Sequence, residues 1–103
     1  MILIFVSFEN IKHAEKVADY LVDKHLAACV VFTPVISYYW WRGKKVINQE
    51  IEAIVKTKKE NFGKIRKAVE TLVGYEIPQL IAIEVVNANK DYLEWLEKEA
   101  ASA

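Results

Sequence analysis

The chain of 103 residues is 53% hydrophobic and 27% charged, proportions typical of one globular domain, which we place at residues 1–103, and not of a disordered segment. Its 14 basic and 14 acidic residues balance, so no overall positive charge favours nucleic acid or a membrane surface, and no apolar run approaches the ~20 residues of a membrane span. A single cysteine excludes an internal disulfide and predicts a reducing, cytoplasmic location.

The first third of the chain predicts a strand, a helix and a second strand. Residues 2–8 are almost entirely apolar, which indicates a strand buried on both faces. Asn10 can cap the helix that follows, and apolar residues then recur at helical spacing to about residue 26. The next apolar run, residues 28–41, is rich in β-branched and aromatic side chains, and Pro34 within it predicts a bulge, a bend or an edge position.

A long hairpin is the most unusual element of the predicted fold. The Arg-Gly-Lys sequence at residues 42–44 predicts a turn into a third strand at residues 46–57, where apolar and polar residues alternate. Each arm has about twelve residues, well beyond the usual five or six. The tip carries Tyr-Tyr-Trp-Trp at residues 38–41, half of the eight Tyr and Trp residues. Because neighbouring strand residues point to opposite faces, we expect one pair of rings to face another chain or a ligand.

The remaining segments complete a recognisable element order. A helix is predicted over about residues 59–72, a strand over 80–86, and a last helix after Asn89. We therefore predict an α+β, ferredoxin-like β-α-β-β-α-β sandwich with an extended hairpin between its second and third strands and an extra C-terminal helix. In this fold both helices cover one face of the sheet. Apolar residues on both faces of the second strand predict that the other face is buried between subunits.

The sequence contains no recognisable catalytic constellation. His13 is expected on the polar side of the first helix and His25 near its end, with Cys29 four residues further on. One Cys and one His are too few ligands for a structural zinc site, so we expect a buried thiol and a surface imidazole. The three glycines do not form a phosphate-binding loop, and we assign no cofactor and no metal ligands.

Two groups of polar residues are better candidates for a binding site. Glu50, Glu52 and Lys56 share the polar face of the third strand, where they bind a charged ligand, pair across a subunit boundary or are simply solvated. Tyr75 lies in a constrained connector before the last strand and either contributes to a site or only packs there. The aromatic tip, with Arg42 beside it, could stack on a flat ligand. We favour subunit contact over nucleic acid because the chain has no net positive charge.

Several motifs resemble those of a known family. They are Leu26-Ala27-Ala28-Cys29, Ser37-x-Tyr39-x-Trp41-x-Gly43-Lys44, Glu50, Lys56-Thr57, Tyr75-Glu76-x-Pro78 and Tyr92-Leu93-x-Trp95-Leu96. From about residue 2 to residue 97 the chain resembles the CutA family of divalent-cation-tolerance proteins. The resemblance implies a tight homotrimer in which the hairpin reaches onto the neighbouring subunit, and it implies no enzyme activity. The family is itself similar to the trimeric PII signalling proteins, which suggests ligand sensing in clefts between subunits.

The chain departs from the family at positions associated with copper. Bacterial members are linked to tolerance of copper and other divalent metals, and animal members to acetylcholinesterase anchoring. The family usually carries His-Pro-Tyr, sometimes with another His before it, where this chain has Leu-Val-Gly-Tyr at residues 72–75, and copper-associated bacterial members have Cys where Val6 stands. The apolar side chains of Val6, Leu72 and Val73 cannot ligate copper, which prefers thiolate and imidazole. Only Cys29 remains near the cleft, so we expect at most weak copper binding.

We therefore predict a trimeric, non-enzymatic protein that senses a small molecule, a metal or a partner in its intersubunit clefts. Two alternatives remain open: copper binding through Cys29 with His25 or carboxylates, and a small enzyme that uses the same cleft. The residues expected to line that cleft are Cys29, Tyr39, Trp41, Glu50, Lys56 and Tyr75.

Overall fold

The computed structural model describes residues 1–101, which form four strands and three α-helices in the order β-α-β-β-α-β-α. The strands are β1 (Ile2–Phe8), β2 (Cys29–Trp41), β3 (Lys44–Thr57) and β4 (Leu80–Glu84), and the helices are α1 (Ile11–Asp23), α2 (Phe62–Val73) and α3 (Lys90–Glu99). The predicted domain, 1–103, includes two residues that lie outside the described ones. Within residues 1–101 no helix is both long enough and apolar enough to cross a membrane.

The four strands form one antiparallel sheet in the order β2-β3-β1-β4. This order, with α1 and α2 packed together, confirms the ferredoxin-like fold that the element order predicts. Both helices return antiparallel to the strands that precede them, and those strands, β1 and β3, are themselves antiparallel. The end of α2 therefore lies beside the start of α1.

The core lies between the sheet and the pair α1 and α2. On β1 the even-numbered residues are buried, and Ile4 and Val6 are 0% exposed, whereas Leu3 and Phe5 on the other face are only half-buried. Within the single subunit β1 is therefore fully buried only on the face that α1 and α2 cover, and the prediction of burial on both faces depends on a neighbouring subunit. We call the opposite, uncovered face the open face.

The hairpin of β2 and β3 is even longer than predicted, with arms of 13 and 14 residues. Its turn consists of Arg42 and Gly43 alone, and both have positive φ angles, 51° and 78°, as a two-residue turn of the type I′ class requires. Pairing with β1 ends where Phe8 meets Ile51, so the outer half of the hairpin has no third strand beside it. Pro34 lies within β2, which is an edge strand of the sheet. Of the three predicted alternatives, the edge position is therefore confirmed.

The other helices and strands lie where they were predicted, but some of them begin or end at different residues. Asn10 caps α1 as expected, since its Oδ1 accepts a hydrogen bond of 2.9 Å from the backbone N–H of His13. Asn89 occupies the cap position of α3 but makes no side-chain capping bond. β4 ends at Glu84 and not at residue 86, where the valine is 90% exposed. A 3₁₀ turn, Lys59–Asn61, precedes α2.

A buried amide fastens α3 to the rest of the subunit. Asn61 is 4% exposed, and its Nδ2 donates to the carbonyl oxygens of Leu26 and Ala100 at 3.1 and 2.7 Å. The hydroxyl of Thr57 donates to the same Leu26 carbonyl at 2.6 Å. These bonds join the ends of β3 and α3 to the segment before β2, and they fix the base of the hairpin.

Candidate functional site

Five of the six predicted cleft residues project from the open face. In the β2–β3 register Cys29 lies opposite Lys56, and residue 35 lies opposite Glu50. Tyr39 and Trp41 occupy positions of the same parity on β2, and successive strand residues alternate between faces. The alternation of strand residues predicts which side chains of one strand share a face. The register of the hairpin is also needed to show that residues of β2 and β3 share it.

The five residues do not converge within one subunit. Glu50 and Lys56 lie six residues apart on β3, a distance of about 20 Å at ~3.3 Å per residue. The candidates therefore form three groups along the hairpin, which we call the base (Cys29 and Lys56), the middle (Glu50 with Tyr75) and the tip (Tyr39 and Trp41).

The base combines a thiol with an ammonium group. Cys29 is half-buried and reduced, and Lys56 lies directly across the β2–β3 ladder from it. The Lys56 Nζ lies 6.0 Å from the ring centroid of Tyr92 on α3, the outer limit of a cation–π contact. Within residues 1–101 no three His, Cys, Asp or Glu side chains are grouped so as to hold a metal ion.

The three positions at which the resemblance implied copper ligands hold apolar residues of the core. Val6 is fully buried beneath the helices, and Leu72 and Val73 are half-buried against the same core. They stabilise this subunit by burial and have no atom that could ligate a metal.

The middle is organised by the hydroxyl of Tyr75. This oxygen accepts a hydrogen bond of 2.9 Å from the backbone N–H of Glu9 and lies 2.6 Å from Nδ1 of His13. Burial raises the pKa of Tyr75, and the carboxylates of Glu9 and Glu50 raise it further, whereas the bond from the Glu9 N–H lowers it. Because the phenol stays protonated at neutral pH, it can donate to Nδ1 when the imidazole carries its proton on Nε2.

His13 and Glu9 are functional candidates that the sequence interpretation missed. His13, expected on the polar side of α1, is half-buried against Tyr75, with ring centroids 5.5 Å apart. His25 is exposed, as expected of a surface imidazole, whereas the thiol of Cys29 is only half-buried. The sequence alone does not show that α1 and α2 pack antiparallel. This packing brings Tyr75, two residues after the end of α2, to the first turn of α1.

A second polar cluster lies on the open face between the base and the middle. Ser7 Oγ lies 2.8 Å from Oε1 of Gln79 and 3.2 Å from Oε2 of Glu52, and Gln79 Nε2 donates to the other Glu52 oxygen at 3.1 Å. Glu52 was predicted as a polar-face residue, but its two partners come from β1 and from the segment before β4. Both carboxylate oxygens are already engaged, which makes Glu52 a weaker candidate for a ligand than Glu50.

The tip is held by one intramolecular ion pair. Arg42 Nη2 lies 2.9 Å from Oε2 of Glu76, and its guanidinium carbon lies 5.4 Å from the Trp41 ring centroid. The hydroxyl of Tyr39 accepts a hydrogen bond of 2.7 Å from Asn48. Tyr38 and Trp40 on the other face are 70% and 76% exposed.

The middle group borders a shallow groove of about 550 Å³ between the start of α1 and the hairpin. The carboxylates of Glu9 and Glu50 and the amides of Asn10 and Gln49 line it, so it offers oxygen ligands and negative charge to a cation or a polar molecule. Within residues 1–101 the ring nitrogens of His13 and His25 contact Tyr75 and Glu99, not a serine or cysteine that they could activate.

Comparisons with known proteins point to one family. The model of the family described as CutA1 divalent ion tolerance protein matches residues 2–99. The divalent-cation tolerance protein CutA of Archaeoglobus fulgidus is 35% identical over 95 residues, which cover 92% of this chain and 93% of that protein. The protein of the same name from Pyrococcus horikoshii is 34% identical over 99 residues, covering 96% and 97% of the two chains.

Solved structures give the same result. The structure of the periplasmic divalent cation tolerance protein CutA from Archaeoglobus fulgidus matches with a TM-score of 0.93 at 34% identity, covering 97% of this chain and 99% of that one. The PII-like protein CutA from Nostoc sp. PCC 7120, solved in its apo form, matches with a TM-score of 0.91 at 27% identity over the full length of both chains.

Proposed function

Because this chain belongs to the CutA1 divalent ion tolerance family, we propose that it is a trimeric, non-enzymatic protein of divalent-cation tolerance. In this proposal it senses a small ligand or a metal ion in clefts between its subunits. The family is not known as a family of enzymes, and the PII-like fold of its relatives is consistent with sensing.

One observation carries the proposal: large apolar side chains of the sheet and hairpin remain exposed in the single subunit. On the open face Ile81 and Ile83 of β4 are 54% and 47% exposed, and on the other face of the outer hairpin Ile36 and Trp40 are 66% and 76% exposed. Monomeric proteins rarely leave large apolar patches in water. A neighbouring subunit that covers the open face and the outer hairpin would remove them.

The spacing of the candidate residues also supports a site between subunits. Glu50 and Lys56 are too far apart to meet within one chain, and the hairpin extends well beyond its own sheet. A neighbouring subunit can bring the base of one hairpin to the middle of another. The cleft would then contain an ammonium group, a thiol, a carboxylate and the Tyr75 phenol, a set suited to binding a polar ligand.

The assembly is tested by sedimentation velocity of the purified full chain at micromolar concentration. We expect a single species of about three times the chain mass of 11.9 kDa. A soluble species of one chain mass that persists at high concentration would contradict the proposal.

Ligand binding is tested by thermal unfolding, because anything that binds the native state raises its midpoint. The probes are Cu²⁺, Zn²⁺, Mg²⁺ and adenine nucleotides, each added to the trimeric protein. We expect at least one to raise the midpoint in the parent protein and not in Glu50→Gln, while Glu15→Gln on the exposed side of α1 serves as the matched control. A midpoint that none of these probes moves, or an equal shift in all three proteins, would reject the middle group as the site.

A further inference from the structure

A second groove lies between α1 and α2, on the opposite side of the sheet from the open face. It has a volume of about 610 Å³ and an apolar floor that includes Ala68 and Leu72. The ring of Tyr20, which is 39% exposed, borders it. Since the helix layer and the open face are on opposite sides of the sheet, a subunit interface on the open face leaves this groove accessible.

The charge around this groove differs from that of the whole chain. The chain has no net charge, yet the described residues that line the groove include Lys24, Lys64 and Lys67 and no acidic residue. Within residues 1–101 no carboxylate forms a salt bridge with Lys24 or Lys67. The Lys24 Nζ is instead 6.0 Å from the centroid of the Tyr20 ring.

Within the described residues, neither helix contributes an acidic side chain to the lining of the groove. Glu70, the acidic residue of α2, pairs with Arg66 on another side of that helix, with Nε and Oε1 3.7 Å apart. The groove is therefore a basic, partly apolar strip on a chain whose other residues include 11 basic and 14 acidic ones, and such a strip attracts an acidic partner.

We propose that this groove binds an acidic amphipathic helix of a partner protein. Apolar side chains of that helix would lie on the floor at Ala68 and Leu72, and its carboxylates would pair with Lys24 and Lys67. The apolar floor decides against a bare phosphate group, because phosphate would leave this surface in contact with water. The three lysines attract carboxylates and phosphates alike as point charges, so the apolar floor is the feature that separates the two.

The probe is a fluorescein-labelled peptide of roughly 16 residues, since shorter helices are marginal in water, made of Glu and Ala with Leu at every third or fourth position. Its anisotropy is measured as the full-length protein is added. We expect saturable binding that weakens with added salt, because the contacts are at the surface. A second peptide with Ser at every Leu position should bind at least about tenfold more weakly if the floor contributes.

Charge reversal of the groove provides the matched comparison. Lys24→Glu with Lys67→Glu should weaken binding by about tenfold or more, because two attractions become repulsions. Lys12→Glu with Lys98→Glu changes the net charge equally at two exposed lysines outside the groove and should change affinity by less than about twofold. Circular dichroism and sedimentation of all variants establish that fold and assembly are kept.

Four results would overturn the proposal. They are absence of binding, an equal loss of affinity in both double variants, equal affinity of the Leu and Ser peptides, and displacement of the peptide by tripolyphosphate at equal affinity. The third and fourth would identify a site for anions in general. None of them bears on the clefts of the open face, so the two proposals fail independently.

Discussion

The hydroxyl of Tyr75 connects segments that are distant in the chain. Its contacts with the Glu9 backbone and with His13 fix the connector after α2 to the start of α1, next to the groove that Glu50 borders. From the sequence, Tyr75 was recognisable as a candidate because it stands in a constrained turn. Its partner His13 was not, because their contact spans 62 residues and depends on how two helices pack.

Tyr75→Phe should lower the free energy of unfolding by about 1–2 kcal/mol, because the Glu9 N–H and the imidazole of His13 lose their shared partner. The measurement is urea unfolding at one fixed protein concentration, followed by tryptophan fluorescence. Tyr38→Phe is the control, since this ring is 70% exposed, and should change stability by less than about 0.5 kcal/mol. Equal losses in the two variants would mean that the hydroxyl contacts are not stabilising.

The pH dependence of that difference has a definite sign. The pKa of Tyr75 is raised in the folded state, so above about pH 10 the unfolded chain releases the phenolic proton before the folded one does. The stability that the group contributes is complete below the unfolded pKa and falls as pH rises through the folded pKa. The advantage of the parent protein over Tyr75→Phe should therefore shrink as pH rises above about 10. A difference that stays constant or grows over this range would contradict the raised pKa.

The affinity of the protein for copper should depend on a few individual residues. The base offers one thiol per subunit, with Lys56 opposite it, and Val6, Leu72 and Val73 supply no ligands. Titration with Cu²⁺ without reductant should give a dissociation constant no tighter than about micromolar, and Cys29→Ser should abolish binding. Tight stoichiometric binding that persists in Cys29→Ser would reveal other ligands. Tight binding that is lost in Cys29→Ser would show that thiols of several subunits meet in the assembly.

At the scale of elements, the hairpin was the most predictable part of the fold, and its ends were the least. Alternation along residues 46–57 correctly gave Ala53 and Val55 as inward-facing. The strand begins two residues earlier, at Lys44, because the two-residue turn lets pairing continue to Trp41. Two consecutive lysines, Lys44 and Lys45, are more typical of a loop than of a strand. Their pairing with Trp41 and Trp40 shows that they belong to β3.

Trp40→Ala tests the outer hairpin as an assembly element. This indole is 76% exposed in the subunit, and a buried aromatic anchor commonly contributes about 2 kcal/mol or more to an interface. We expect sedimentation equilibrium to show dissociation at concentrations where the parent protein stays assembled. Tyr20→Ala removes an exposed ring from the helix layer and should leave assembly unchanged. If both variants assemble like the parent, Trp40 is not an anchor.

At the scale of the whole molecule, the layer arrangement followed from element order, whereas the site did not. The order of strands and helices fixes which face the helices cover, and the apolar second strand indicated that the other face needs a partner. The sequence could not bring Glu50 and Lys56 together, because one strand holds them about 20 Å apart. Which residues meet across two chains depends on a docking geometry that no local pattern encodes.

The proposed meeting of Glu50 and Lys56 across subunits can be measured with a double-mutant cycle. The stability of the proposed trimer is compared for Glu50→Ala, Lys56→Ala and the double variant at one protein concentration. If the two side chains pair between subunits, the effects should be non-additive by at least about 0.5 kcal/mol. Strict additivity would reject the pair and leave two solvated residues.

The central position of β1 has a consequence for the nascent chain. β1 is translated before both of its neighbours, and Ile2 pairs with Thr57 and Glu84, which emerge from the ribosome much later. At roughly 5–20 residues per second, this apolar strand waits several seconds with both edges unpaired. β1 can join the sheet only after β3 and β4, its two neighbours, have been synthesised. Chaperone binding to the N-terminal segment during synthesis is therefore expected from the topology alone.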